Sequence, residues 1–184
     1  MSNNTTYTEK LHPSSILPEM TVSRFDGKAV VLGEAQGDFD WQLVIVYRGQ
    51  HCPLCTQYLN QLETFKDELS ALNVDVLAVS GDSKAQLESH LEKLDISFPT
   101  AYGLTVEQMQ TLGLFISNPR SEQETDHAFP EPAVFVLNQD RQIQVIDIAN
   151  NPFIRPDLSM LVKCLKWIRD PEKNYPIRGT KAFL

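Results

Sequence analysis

Leu43-Val44-Ile45-Val46-Tyr47-Arg48-Gly49-Gln50-His51-Cys52-Pro53-Leu54-Cys55 is the stretch from which the fold is read. Its first five residues are a continuous apolar run rich in branched side chains, the pattern of a strand covered on both faces of a parallel sheet. Its last four are a Cys-x-x-Cys pair. Leu54, Tyr58, Leu59, Leu62, Phe65, Leu69 and Leu72 then recur at steps of three and four, which predicts one amphipathic helix from Pro53 to about Asn73. The pair therefore falls at a strand-to-helix junction. Unpaired backbone N–H groups and a partial positive charge gather at a helix N-terminus, so a thiol placed there ionises more easily, and the thiolate is the reacting species.

Outward from that junction, Val74 to Ser80 is a second apolar run, and the helix between the two runs makes a parallel βαβ crossover. Gly81-Asp82-Ser83 is a turn ending in an N-cap residue. Leu87, Leu91 and Leu94 mark the next helix, before an extended piece at Phe98-Pro99 and a short helix near Val106 to Leu112. A polar loop from Ser117 to Glu131 leads to strands at Ala133 to Leu137 and Ile143 to Ala149, joined as a hairpin through Asn138-Gln139-Asp140-Arg141. Leu158, Leu161, Val162, Leu165 and Ile168 describe a last helix, in which Cys164 reads as a buried small hydrophobe. The N-terminal part is polar, with short apolar pieces at Met20-Thr21-Val22 and Val30-Val31-Leu32 that suit edge strands.

The predicted order is β-α-β-α, then β-β-α, an α/β arrangement with an N-terminal extension; with Cys-x-x-Cys at the strand-to-helix junction and a Pro just before the hairpin it resembles the thioredoxin fold, which implies a mixed central sheet flanked by helices. One domain suffices for 184 residues. The expected division is a flexible segment at 1–14, the domain at 15–170 and a tail at 171–184 that packs on a neighbouring surface or subunit.

Sixteen basic against twenty-four acidic side chains give a net charge of -8, which disfavours nucleic acid and anionic membrane as partners. No apolar run approaches the ~20 residues needed to cross a bilayer. The first residues lack a basic start, a long apolar region and a cleavage site, so the expected location is cytoplasmic. Three cysteines make no disulfide framework, and a reducing compartment favours a catalytic or metal-binding use of the pair. A zinc site would need a second pair, and Cys164 and the four histidines (His12, His51, His90, His127) are scattered, so no metal is expected. No phosphate-binding glycine pattern points to a flavin or nicotinamide cofactor.

Tyr47-Arg48-Gly49-Gln50-His51-Cys52-Pro53-Leu54-Cys55 resembles the Tyr-Arg-Gly-x-x-Cys-Pro-x-Cys segment of peroxiredoxin-like members of the AhpC/TSA (alkyl hydroperoxide reductase and thiol-specific antioxidant) family, within the thioredoxin-like superfamily. Pro132-Ala133-Val134-Phe135-Val136-Leu137 and Arg155-Pro156-Asp157-Leu158 resemble later segments of the same group. The resemblance implies thiol-based redox chemistry and an antioxidant or cell-redox role; between monomer and homodimer the sequence leaves the assembly open. It departs from the peroxidatic Pro-x-x-x-Thr/Ser-x-x-Cys motif. Counting back from Cys52, Gly49 stands at the hydroxyl position and Ile45 at the proline position, and Glu131-Pro132 stands where peroxiredoxins place an arginine. Pro132 matches instead the thioredoxin proline whose peptide bond is cis, a form taken by only about 5% of X-Pro bonds.

Two intervening residues in a first helical turn bring two sulfurs within bonding distance, which suits thiol-disulfide exchange. Cys52 is expected to be exposed, of lower pKa and the attacking thiolate, with Cys55 more buried and resolving. His51 and Arg48 are the candidates to tune that pKa as cationic neighbours, and Pro132 with Glu131 are the candidates to shape a substrate groove. Glu122, Glu124 and Asp126 read as solvated surface. Three functions remain open: a thiol-disulfide oxidoreductase, a peroxidase using the same thiolate, and a non-catalytic interaction module. Either enzyme would draw on a thiol reductant, a protein or a small molecule.

Overall fold

The computed structural model describes residues 6–182, so the outermost parts of the expected N-terminal segment (1–5) and tail (183–184) lie outside the described residues. Its elements run β1 (Thr21–Arg24), β2 (Ala29–Val31), β3 (Trp41–Val46), α1 (Pro53–Glu63), α2 (Lys66–Ala71), β4 (Val74–Val79), α3 (Lys84–Leu91), β5 (Thr100–Tyr102), α4 (Val106–Thr111), β6 (Ile116–Ser117), β7 (Phe129–Pro130), β8 (Ala133–Leu137), β9 (Ile143–Ile148) and α5 (Leu158–Arg169). A 3-10 turn at Pro171–Lys173 follows.

Seven strands form one mixed sheet in the order β2-β1-β5-β4-β3-β8-β9, and β6 pairs with β7 apart from it. β3 and β4 are parallel, with Leu43 opposite Val76 and Ile45 opposite Ala78, as the crossover between them requires. β8 runs antiparallel to β3 and pairs with β9 in the expected hairpin. All six residues of β3 are buried because the sheet is covered on both faces. Leu43, Ile45 and Tyr47 enter one core with Leu59, Leu62 and Leu165 of the helices, while Val44 and Val46 enter a second core with Met109, Val22 and Leu17. The alternation of side chains across a strand divides one apolar run between two cores. The fold is therefore the mixed, helix-flanked thioredoxin type.

Three local expectations change. The helix predicted from Pro53 to Asn73 is two helices, because Thr64 donates its hydroxyl to the Gln61 carbonyl at 2.7 Å and the Thr64 and Phe65 N–H groups bond back three residues, not four. The extended piece placed at Phe98-Pro99 lies two residues later, in β5, where Ala78 and Val79 supply the pairing. Cys164 is exposed, since Leu161 and Leu165 carry the inward face of α5 and leave residue 164 on its outer flank.

Candidate active site

β3 delivers the chain to the site through its C-terminal end. Tyr47 still bonds to the sheet, from its N–H to the Val79 carbonyl at 3.1 Å. The chain then turns at Gly49, whose φ of +135° is a region L-residues rarely adopt. A Cβ at Gly49 would lie 2.4 Å from Asp82 Oδ1, so residue 49 must be glycine for the Asp82 carboxylate to approach the turn. Asp82, fully buried in the loop that follows β4, accepts the Gln50 N–H at 2.7 Å and holds the turn shut. The consequence is a fixed position for the next two residues.

Cys52 is the N-cap of α1, with Pro53 at the first helical position. Its sulfur accepts the Cys55 N–H at 3.3 Å, the role a serine oxygen plays in an ordinary cap. Both cysteines are free thiols. The Cys52 pKa is brought down to about 6 by the hydrogen bond from the Cys55 thiol, the Cys55 N–H and the nearby Arg48 guanidinium, which together outweigh burial. The Cys55 pKa moves up, because its proton is held toward the Cys52 sulfur, and burial and the adjacent negative charge add to this. One dithiol thus holds one ready anion and one retained proton. The expectation that Cys52 would be exposed is corrected: it is 1 % exposed and Cys55 0 %, both belonging to the buried cluster that holds Tyr47, Leu59 and Val134.

The neighbours divide. Arg48 lies over the Phe129 ring at 4.6 Å and reaches Glu131 at 3.4 Å and Glu124 at 3.6 Å, distances at which charges attract without closing good hydrogen bonds. Its Nε has no hydrogen-bond partner. His51 packs against Phe129 at 4.6 Å between ring centroids, and its pKa falls to about 4 through burial and the Arg48 charge. His51 is consequently neutral at pH 7 and supplies no positive charge, a correction to its expected role; Arg48 is the cation. Glu131 is buried, accepts the Ser117 hydroxyl at 2.7 Å and faces Arg48. Glu124, read as solvated surface, has a side chain only 8 % exposed and closes the other side of the guanidinium.

Among the described residues no peptide bond is cis, so the bond before Pro132 is trans, contrary to its match with the thioredoxin proline. With that geometry the Glu131 N–H reaches the Phe115 carbonyl at 2.8 Å and the Pro132 carbonyl accepts the Ala149 N–H at 2.9 Å. Pro132 is buried with its carbonyl occupied, and offers no free backbone edge to an extended peptide.

Four contributors escaped the sequence reading. Arg155 donates to the Leu54 carbonyl at 2.8 Å, stacks on Tyr58 at 4.3 Å and acts electrostatically on Cys55. His90 is buried, neutral with a pKa near 4, and bonded to the Thr56 hydroxyl at 2.8 Å, one residue beyond Cys55. Asp82 and His127 approach at 3.5 Å behind Gly49. Asp82, His127 and Arg155 come from three different connections and His90 from α3, and the sheet brings them to one end. Among the described residues no group of three or more His, Cys, Asp or Glu side chains could hold a metal ion, and no helix is long and apolar enough to cross a membrane.

The model of the AhpC/TSA family matches residues 13–146. A comparison with curated protein sequences finds no match. Among solved structures the chain is similar to peroxiredoxin 6 of Arenicola marina, with a TM-score of 0.74 at 15 % identity over 89 % of this chain and 76 % of that one. It is similar also to a peroxiredoxin-like protein from Aquifex aeolicus, with a TM-score of 0.69 at 19 % identity over 86 % of this chain and 88 % of that one. For AhpC of Enterococcus faecalis the TM-score is 0.71 at 16 % identity over 96 % and 100 %. At these identities the structural likeness speaks for the fold.

Proposed function

The chain belongs to the AhpC/TSA family and is a thiol-dependent oxidoreductase, and from that premise we propose that it exchanges thiols and disulfides through Cys52 and Cys55, with Cys52 attacking and Cys55 resolving. The observation that carries this reading is the placement of the two thiols in one helical turn, Cys52 capping α1 with its sulfur accepting the Cys55 N–H at 3.3 Å, which favours the thiolate at Cys52 and the proton at Cys55. The Cys52 thiolate attacks a sulfur of a substrate disulfide, forming a mixed disulfide and releasing one substrate thiolate. Cys55 then gives up its proton and attacks the Cys52 sulfur. The second substrate thiol leaves, and the Cys52–Cys55 disulfide closes. Arg48 stabilises the thiolate, and Glu131 and Glu124 position Arg48.

A second reading is peroxide reduction, favoured by the recessed Cys52 sulfur, which a two-oxygen molecule reaches more easily than a folded protein does. The thiolate would attack one peroxide oxygen to give Cys52 sulfenic acid and hydroxide, and Cys55 would condense with it and release water. Gly49 supplies no hydroxyl to orient the peroxide, so Arg48 is left as the polarising group.

The test is a trap. In a Cys164→Ser background, which removes the exposed third thiol, Cys55→Ser treated with a small disulfide accumulates a stable mixed disulfide on Cys52, read by intact mass, whereas Cys52→Ser accumulates none on Cys55. The reverse pattern overturns the assignment of roles. In parallel, hydrogen peroxide consumption no faster than that of free cysteine removes the second reading.

A further inference from the structure

Beside Cys52 lies a cleft of about 480 Å³ whose wall includes both of its chain neighbours, His51 and Pro53. That volume falls in the range of small-molecule sites. Arg48, Lys93 and Arg120 bring three permanent positive charges to it, against Glu124 as the one carboxylate on its lining. In a chain of net charge -8 this is a local reversal of sign. Gln50 and Gln123 add amide donors and acceptors.

The polar groups of its lining are incompletely paired. Both ring nitrogens of His51 are buried without hydrogen-bond partners, and Arg48 Nε, which faces Glu131 Oε2 as an ion pair at 3.4 Å, closes no hydrogen bond. Buried polar atoms left unpaired are uncommon in folded proteins, and a cluster of them at one cleft calls for a ligand or for ordered water. Glu124 and Glu131 stand 3.4 to 3.6 Å from Arg48 and do not saturate it.

We propose that this cleft binds a small thiol bearing carboxylates, which reduces the Cys52–Cys55 disulfide from the side of Cys52. The proposal rests on the redox reading of the two cysteines and names the reductant class. Carboxylates of the ligand meet Lys93 and Arg120, its amides meet Gln50 and Gln123, and its sulfur is directed past His51 and Pro53. Cys52 itself is 1 % exposed, a recess that admits a slender sulfhydryl and resists the face of a folded reductant. Reduction takes two thiols. The first, as thiolate, attacks the Cys52 sulfur and forms a mixed disulfide, and Cys55 leaves and takes up a proton. The second attacks the ligand sulfur, releasing the oxidised ligand disulfide and the Cys52 thiolate.

The test uses glutathione as the anionic probe, 2-mercaptoethanol as the neutral one and cysteamine as the cationic one, each reducing the oxidised protein in stopped flow, with rates compared per thiolate. Glutathione is expected to saturate and to react fastest. In Lys93→Gln/Arg120→Gln, which removes both cations assigned to the ligand carboxylates, the ratio of glutathione to 2-mercaptoethanol rates is expected to fall at least about tenfold. Equal rates for the three probes without saturation, or a fastest rate with cysteamine, overturn the proposal. S-methylglutathione, which cannot exchange, is titrated calorimetrically into the reduced protein as a separate readout. Binding that weakens in the double variant supports the cleft even if no Cys52–Cys55 disulfide forms, in which case it is the redox reading that fails. Absence of binding removes the cleft whatever the cysteines do.

Discussion

After the bonds from the Cys55 thiol and N–H, Arg48 is the cation that lowers the Cys52 thiol pKa, and two carboxylates compete for it. Opposite changes on the two sides of that balance have opposite signs. Arg48→Met removes a charge that favours the thiolate and is expected to raise the Cys52 pKa. Alkylation by iodoacetamide, followed at a pH below both midpoints, then slows by roughly tenfold for each pH unit that the midpoint rises. Glu131→Gln leaves Arg48 with one fewer competing anion and is expected to move the pKa further down. Movement of both variants in one direction would contradict the arrangement. The cysteines were legible in the sequence because their spacing and their place after an apolar run are local features. The neutrality of His51 was not, since it follows from burial against Phe129, seventy-eight positions away, and from the Arg48 charge beside it.

The turn between β3 and α1 is the element that sets the site. Gly49 and Gly103 both have positive φ, but a Cβ at Gly103 meets open space and one at Gly49 meets the Asp82 carboxylate. Gly49→Ala is therefore expected to cost stability by about 1–3 kcal/mol more than Gly103→Ala, from strain at a crowded backbone position, measured by urea unfolding. Equal costs would mean that Asp82 moves freely and does not brace the turn. The β3 strand and the α1 start were readable from a run of five apolar residues and a Pro at the first helical turn. The break at Thr64 was not, because the leucine periodicity continues across it and only the Thr64 hydroxyl bond to Gln61 interrupts the helix. The inner faces of the loop at 117–131 were hidden for a related reason. Glu124 is one acid among several in a polar stretch, and its burial depends on Arg48 arriving from β3.

The whole molecule carries two pH dependences of opposite origin. His51 and His90 are both neutral, with folded pKa values near 4 against 6.5 in the unfolded chain, chiefly through burial. The unfolded state therefore takes up a proton first as the pH falls, and stability is expected to drop between pH 6.5 and 4. Cys52 has a folded pKa of about 6 against 9.0 unfolded, so the unfolded state retains the proton longer as the pH rises. Stability of the dithiol form is expected to climb from pH 6 toward 9, fully present above the unfolded value and lost as the pH falls through the folded one. The disulfide form, with no Cys52 thiol to titrate, should lack that climb; a climb of equal size in both forms would assign it to other groups. At this scale the mixed sheet was foreseeable from the order of apolar runs. The edge order β2-β1-β5 was not, because short strands such as Thr100–Tyr102 are defined by the neighbours that pair with them.

Ultraviolet titration of the thiolate, read on Cys164→Ser, so that the exposed third thiol does not contribute, and on the same protein with Cys52→Ser or Cys55→Ser added, tests the central claim most directly. The account predicts a thiolate with a midpoint near pH 6 in Cys164→Ser, absent when Cys52→Ser is added and moved upward when Cys55→Ser is added, because the bond from the Cys55 thiol is the largest influence holding it down. No midpoint below the ordinary thiol value in Cys164→Ser, or a low midpoint that survives Cys52→Ser and vanishes with Cys55→Ser, would contradict it.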